Sequence, residues 1–262
     1  MSKVATLYSS SKGNCTYIGH AGGGILIDAG VSGKKIDEGL YNIGVDIESI
    51  KAIFITHEHI DHTSGAKTLA TKYDLPVFAT SGTLLEMQAQ GSICAKNKCN
   101  VIDESGVTVG DIHVKPFKTM HDSSDSCGFL ANLGGLRKVA VCTDLGCVTD
   151  EVLNSLTGAD LVVLESNHDV NMLQNGLYPY ALKRRVMSDV GHLSNGACAE
   201  ILPKLVKNGT TRIILSHLSE RNNMEVLARQ TALMALKAAE MKENIDFLLY
   251  VAKAINNRAF AI

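Results

Sequence analysis

Short apolar runs, each closed by a turn residue or a polar cluster, recur along most of the chain. GGILIDAG, AIFITH, LPVFAT and IHVKPF in the first half, and GFLANL, KVAVCTD, DLVVLESN, RIILSH and FLLYVAKA in the second, read as strands. Between them SGKKIDEGLYNIG, HTSGAKTLATKYD, SGTLLEMQAQG and NNMEVLARQTALMALKAAEMKE fit helices. The last has good helix formers throughout and no interior Gly or Pro, so one long helix is expected there. About a dozen strands with interspersed helices predict an α/β (α+β) fold, two sheets face to face with helices outside. The two halves share this strand–helix style without a sequence repeat that proves duplication. Nothing proline-rich or of low complexity divides the chain, and a single domain over residues 1–262 is expected.

The polar clusters sit just beyond the apolar runs. Asp28, His57, His121, Asp144, Glu165 and His217 each follow a predicted strand. One edge of the sandwich is therefore expected to gather them into a common site. Composition is that of an ordinary soluble protein, 45 % hydrophobic and 20 % charged with a formal net charge of −2. That balance gives no global basic field for nucleic acid, although a local patch would suffice. No apolar run approaches the ~18 residues of a membrane span, and MSKVATLYSSSKGN lacks a signal-peptide core. The seven cysteines are odd in number and scattered, which points to reduced thiols and a cytoplasmic setting rather than a disulfide framework.

The densest chemistry lies in FITHEHIDHTSG, Phe54 to Gly65. His57, His59 and His62 crowd around Asp61 in a chain with only nine histidines. Clustered imidazoles and carboxylates repel or deprotonate one another unless a cation holds them, and both are natural ligands of divalent metals. In the loop after a strand, His57 and His59 are placed to converge on one ion, and Asp61 and His62 on a second. Two neighbouring ions would lower the pKa of a shared water and give hydroxide at neutral pH. His121 in KTMHDSSDS, Asp144 in AVCTDLG and His217 in IILSHLSE share the strand-end position and complete the candidate set.

HEHIDH, followed in order by His121, Asp144 and His217, resembles the metallo-β-lactamase superfamily over essentially the whole chain. The resemblance implies a four-layer αββα sandwich, two mixed β-sheets flanked by helices, with a binuclear metal site. It implies that His57, His59 and His121 form one metal site, and Asp61, His62 and His217 the other, with Asp144 bridging. DLVVLESNHD, YPYALKRRVMSDVGHLSN and IILSHLSERNN are similar to the YycJ/WalJ-like (VicX-like) exonuclease group of that superfamily. LYSSSKGNC is similar to the group's SGSSGNC opening, from which Ser10, Ser11 and Lys12 depart. This group implies DNA as substrate, degraded from a 5′ end, with a role in DNA repair.

GHLSN resembles the Gly-His-x-Ser segments of phosphodiester-cleaving branches, which implies that His192 grips a phosphate oxygen or protonates the leaving oxygen. Asp61 and His192 are thus the candidate catalytic residues. Ser194 or Asn195 also reads as the N-cap of a helix over NGACAEILPKLV, whose free N–H groups would favour a phosphate. Lys183, Arg184 and Arg185 form a compact basic run, of which one or two residues can face a substrate; Arg184 and Arg185 are the candidates. Ser11, Lys12, Asn14, Ser194 and Asn195 are the further candidate substrate contacts. His168 stands between outer metal ligand and substrate contact, and Glu165 or Asp169 is expected to orient ligand imidazoles or join the metals. His20 and His113 have no motif partners and read as ordinary strand or surface residues.

The leading expectation is a metal-dependent phosphodiesterase acting on nucleic acid, with two divalent ions, manganese or zinc ahead of iron. Roughly seventy residues separate Asp144 from His217, too few for the β-CASP domain of some ribonucleases. The alternatives are an RNA-processing nuclease, a hydrolase of a small ester, thioester, lactone or cyclic phosphate, and a non-enzymatic metal-binding regulator. GHLSN and the basic run favour phosphate over small esters, and a structural metal site is usually closed and mononuclear. No membrane partner is expected, and oligomeric state is left open.

Overall fold

A computed structural model describes residues 2–262. One sheet contains β1 (Lys3–Ser10), β2 (Gly13–His20), β3 (Gly23–Ile27), β4 (Ile50–Phe54), β5 (Val77–Ala79) and β6 (Cys99–Val101), with β14 (Phe260–Ala261) added beside β1. The other runs in spatial order from β7 (Val107–Val109) through β8 (Ile112–Lys118), β9 (Cys127–Leu133), β10 (Arg137–Cys142), β11 (Leu161–Glu165) and β12 (Arg212–Ser216) to β13 (Leu248–Val251). Both sheets are mixed in the same way. β14-β1-β2-β3 and β7-β8-β9-β10 pair antiparallel, and β3-β4-β5-β6 and β10-β11-β12-β13 pair parallel. The duplication that the residues hide is therefore plain in the topology.

Helices cover the two outer faces. On the first lie α1 (Gly33–Asn42), α2 (Ile60–Thr63), α3 (Ala66–Lys72) and α4 (Ser81–Ala89). The second half of the chain supplies α5 (Asp150–Leu156), α6 (Val170–Asn175), α7 (Tyr180–Val186), α8 (Asn195–Lys207) and α9 (Glu225–Ala238). Strand alternation distributes the apolar residues among three layers. Ile25 and Ile27 of β3 meet Val139, Val141, Leu161 and Val163 of the opposite sheet, while Leu26 turns outward to Ile36, Leu40 and Leu69. On the far side Ala140, Val162 and Leu164 pack against Val152, Leu202, Ala232 and Leu236. Phe54 clasps the two sheets, stacked on Phe78 at 5.0 Å and edge-on to Phe129 at 5.6 Å. Each such pair contributes about 1 kcal/mol beyond its buried area. Parallel strands covered on both faces need continuous apolar sequence, which is why LVVLE and IILS show no alternation.

The expected αββα sandwich is thus the observed one, with local differences. HTSGAKTLATKYD forms two helices, because Gly65 passes the Val31 carbonyl so closely that a Cβ would sit 2.1 Å from it. The long C-terminal helix stops at Ala238, and Glu240 turns left-handed with φ 61°. LYSSSKGNCTYIG, whose apolar pattern is masked by small polar residues, forms the β1–β2 hairpin. Among the described residues no helix is long and apolar enough to cross a membrane.

Candidate metal centre

The loop after β4 delivers His57, Glu58 and His59, and α2 begins immediately with Asp61 and His62. His57 Nε2 lies 3.0 Å from His59 Nδ1, which lies 3.3 Å from His121 Nε2. A second group forms where Asp61 Oδ2 stands 3.6 Å from both His62 Nε2 and His217 Nε2. Asp144 lies between them, with Oδ2 3.0 Å from His62 Nε2 and Oδ1 3.8 Å from His121 Nε2. All seven residues expected around metal are therefore brought together at one edge of the sandwich. His57, His59 and His121 form one potential ligand group, and Asp61, His62 and His217 another.

Hydrogen bonds behind the rings decide which nitrogens face inward. His121 Nδ1 lies 2.9 Å from the Gly191 carbonyl, which only accepts. His62 Nδ1 lies 2.7 Å from Asp28 Oδ2, and His217 Nδ1 2.9 Å from Glu165 Oε1. Thr56 Oγ1 reaches Asp28 Oδ1 at 3.0 Å and His57 Nδ1 at 3.0 Å, so the hydroxyl donates to the carboxylate and accepts from the ring. Each of these four imidazoles thus carries its proton on Nδ1 and turns the Nε2 lone pair into the cluster.

That arrangement fits cations. Three ring nitrogens converge at 3.0–3.3 Å without donors enough to pair them, and two nitrogens bound to one tetrahedral zinc lie about 3.3 Å apart. His217 Nε2 is buried with no hydrogen-bond partner. Asp144 Oδ2, 3.0 Å from His62 Nε2, has none either whenever that nitrogen turns its lone pair inward, the form in which the ring can bind a cation. In the metal-free chain protons substitute for the ions. Burial opposes charge on His217, yet Asp144, the Asp61 carboxylate 3.6 Å away and the hydrogen bond to Glu165 push it up to about 10. His62 likewise stays well above free imidazole, since Asp28, Asp144 and Asp61 outweigh its burial. His57 moves the other way through burial and neighbouring His62. None of the seven cysteines enters a potential ligand group among the described residues, and all are free.

The strand ends adopt an uncommon backbone. Asp28, Asp144 and His217 follow β3, β10 and β12 with φ of 63°, 56° and 55°. Non-glycine residues take this left-handed conformation only where the surroundings hold them there, and such residues gather at functional sites.

Glu165 is the second organiser. Burial opposes its ionisation, but the charge and hydrogen bond of His192 and the hydrogen bond of His217 hold it at about 2. Oε1 accepts from His192 Nδ1 and His217 Nδ1, both at 2.9 Å, and Oε2 accepts from the backbone of Leu145 and Leu193. With four donors it accepts hydrogen bonds from the imidazoles around the cluster, and it also falls in a potential ligand group with Asp144, His192 and His217. His192 stands beside the metal groups, its ring centroid 5.2 Å from that of His121 and 5.4 Å from that of His217.

The remaining expected residues divide. Asp169 does not reach the imidazoles; it caps α6, accepting from Met172 N at 2.9 Å. Asn195 is buried in a closed network with Ser166 and Asn223, which corrects its reading as a substrate contact. Ser194 is the N-cap of α8, accepting from Ala197 N. His168 is buried with an unpartnered Nδ1 and lies outside every potential ligand group. Asn14 faces the cluster, with Nδ2 3.0 Å from His62 Nε2. Ser11 and Lys12 form the exposed β1–β2 turn, Lys12 paired with Glu220 at 2.5 Å. Arg184 is exposed on α7, and Arg185 grips Asp122 through two nitrogens. The sequence places Asp28 at the common strand-end edge without giving it a role, and it does not point to Thr56 or the Gly191 carbonyl.

The model of the β-lactamase superfamily domain matches residues 24–218. The chain belongs to the metallo-β-lactamase superfamily. It is 39 % identical over 234 residues to the exodeoxyribonuclease YycJ of Bacillus anthracis, covering 89 % of this chain and 88 % of that protein. It is 36 % identical over 251 residues to the exodeoxyribonuclease WalJ of Streptococcus pneumoniae, covering 95 % and 93 %. Among solved structures, the metallo-β-lactamase fold protein YhfI from Bacillus subtilis superposes with a TM-score of 0.72 at 17 % identity, over 100 % of both chains.

Proposed function

We propose that this chain is a two-metal exonuclease that degrades DNA, acting as a single domain over residues 1–262 without a β-CASP insertion. The observation that carries the reading is the pair of ligand groups with Asp144 lying between them, and His192 anchored beside them. The relatives named exodeoxyribonucleases, matched over most of their length, support the DNA substrate. His57, His59 and His121 would hold one divalent ion, Asp61, His62 and His217 the other, and Asp144 both. When bound, such ions activate water and offset charge on a phosphate. Nitrogen and oxygen donors without thiolate favour manganese or zinc over softer-site metals.

The chain's own residues supply the proton and the positioning. His192 has Nδ1 tied to Glu165, which leaves Nε2 as the nitrogen able to meet a substrate. Burial opposes its charge, but Glu165 and Asp144 outweigh that and raise its pKa, which favours the imidazolium form. An imidazolium there protonates the departing oxygen of the scissile phosphodiester. Arg185, half-exposed beside Asp122, adds a planar donor pair for a neighbouring phosphate. Attack from a 5′ end, a part in DNA repair and a cytoplasmic location complete the reading.

The test is cleavage of end-labelled duplex DNA, single-stranded DNA and RNA with Mn²⁺ or Zn²⁺, using Asp61→Ala protein as the contamination control. Stepwise shortening of DNA from one end, absent in the variant, is the expected result and gives the polarity. Protein holding two metals that cleaves none of the three would redirect the assignment to a small-molecule hydrolase.

A further inference from the structure

A small buried cavity of about 10 Å³ adjoins the metal centre, and its walls bring hydroxyl and carboxylate side chains into an otherwise apolar inter-sheet layer. Thr6, Thr143 and Ser216 line it, and their hydroxyl oxygens are buried without a hydrogen-bond partner. The three residues are 4 %, 6 % and 1 % exposed. Each stands where strand alternation calls for a core hydrophobe. In β1, Val4 faces the opposite sheet and Thr6 takes the next inward position; Val139 and Val141 of β10 precede Thr143 in the same way, and Ile214 of β12 precedes Ser216. The register of β1 against β2 shifts just after Thr6, so the inward row ends there.

A buried hydroxyl without a partner is unfavourable, and three on one cavity is not a chance distribution in a packed core. The space suffices for one water, which needs two to four polar partners. Hydroxyls both donate and accept, so a water can satisfy all three. We propose that this cavity is a built hydration site, in which one water joins Thr6 of the first sheet to Thr143 and Ser216 of the second. Its place gives it a task. Thr143 and Ser216 immediately precede Asp144 and His217, and Asp28 and Asn14 also line the cavity. The first sheet carries His57, His59, Asp61 and His62, and the second carries His121, Asp144 and His217. The spacing of the two sheets at this point therefore sets how the ligand groups meet, and the water fixes that spacing. Thr6 also lines a larger outer cleft of about 360 Å³ between β13 and β14, so the site is one side chain from solvent.

Thr143→Val tests this, because it replaces a hydroxyl by a methyl of the same shape. With a water present, the substitution deprives it of a partner; Tm of the full chain falls by roughly 3–8 °C, with and without Mn²⁺. Affinity for divalent metal falls by about tenfold as the sheets lose their tie. Thr143→Ser keeps the hydroxyl and retains metal affinity near that of the parent. A crystal structure of the metal-loaded protein shows an ordered oxygen at about 2.7–3.0 Å from the three hydroxyls. A dry cavity reverses the sign: Thr143→Val then removes an unpaired buried hydroxyl, and Tm stays level or rises. That result, a cavity without density, or Thr143→Ser losing metal affinity as far as Thr143→Val would each overturn the proposal.

Discussion

Asp28 Oδ2 lies 2.7 Å from Nδ1 of His62, with both side chains buried. The other oxygen, Oδ1, is pinned by Thr56, accepting from its backbone N–H at 2.8 Å and from its hydroxyl. The carboxylate thus has a fixed orientation, and the fixed orientation selects the His62 tautomer.

Asp28→Asn should therefore harm more than Asp28→Ala. Thr56 N–H keeps the amide oxygen in the Oδ1 position, which puts the NH₂ against His62 Nδ1. The ring must then carry its proton on Nε2, the atom that faces Asp61 and Asp144. Loss of an orienting partner alone costs 10–100-fold in metal affinity; we expect Asp28→Ala within that range and Asp28→Asn at or beyond its upper end for one of two ions. Calorimetric titration with Zn²⁺ reads this directly. Two equivalents bound by Asp28→Asn with parental affinity would remove the tautomer argument.

Gly30 carries the backbone contact that seats the ligand helix. Its N–H donates to Asn14 O at 2.8 Å, and a Cβ there would sit 1.6 Å from the Asp61 carbonyl. Backbone meets backbone, so nothing flexible can yield. Gly30→Ala is expected to cost more than about 3 kcal/mol in urea unfolding, beyond ordinary overpacking. Gly23→Ala is the control, because its Cβ makes only ordinary van der Waals contacts, the nearest to Lys51 Cγ at 3.5 Å; its stability should stay within about 1 kcal/mol of the parent.

These two positions also mark where sequence reading stops. The apolar runs are legible because parallel strands covered on both faces must be continuous hydrophobes, and HEHIDH is legible because no fold needs such a cluster without a cation. Asp28, Glu165 and Asp144 all stand at strand ends, yet only the hydrogen bonds distinguish a ligand from the residue that aims a ligand. Asp169 looked equivalent to Glu165 in ESNHD, but helix α6 begins one residue later and claims its carboxylate as a cap. Asn195 was read with Ser194 as a phosphate contact; the helix register turns it inward, to Asn223. The β1–β2 hairpin was hidden because Thr6, Ser9, Ser10 and Asn14 occupy buried positions that a hydrophobic pattern assigns to solvent.

The metal-free chain should be most stable at or below neutral pH and weaken towards alkaline pH. His62 and His217 have raised folded-state pKa values, His217 at about 10. A raised group lends its full stabilisation below the unfolded value, about 6.5, and loses it as pH rises through the folded value. Stability should therefore decline from about pH 6.5 to about 10. Glu165, held at about 2, acts in the opposite direction: its contribution is present above about 4.3 and is lost as pH falls through about 2. Bound divalent ions displace the imidazole protons, so metal affinity should climb across the alkaline window in which the metal-free chain weakens. Thermal melts in chelator and in Mn²⁺ from pH 6 upward, at roughly unit steps, compare the two. Parallel curves would show that the histidines are not protonated without metal.

Asp61→Ala and His192→Ala should fail in different ways. Asp61 belongs to a ligand group with His62 and His217, so its removal is expected to leave about one equivalent of tightly held metal and little activity. His192 hydrogen-bonds to Glu165, which has three further donors to keep it in place, and its Nδ1 lies 3.4 Å from Asp144 Oδ1. His192→Ala should retain both equivalents and lose about 10²–10⁴-fold in kcat, the range for one proton donor. A structural defect would give the same loss, so the pH profile decides. The parent's kcat should fall as pH rises through the raised His192 pKa and the imidazolium deprotonates, and the variant's residual kcat should lack that limb. Metal analysis by mass spectrometry together with the two profiles separates the roles. Should His192→Ala empty a metal site instead, His192 is a ligand, and the proton must come from elsewhere.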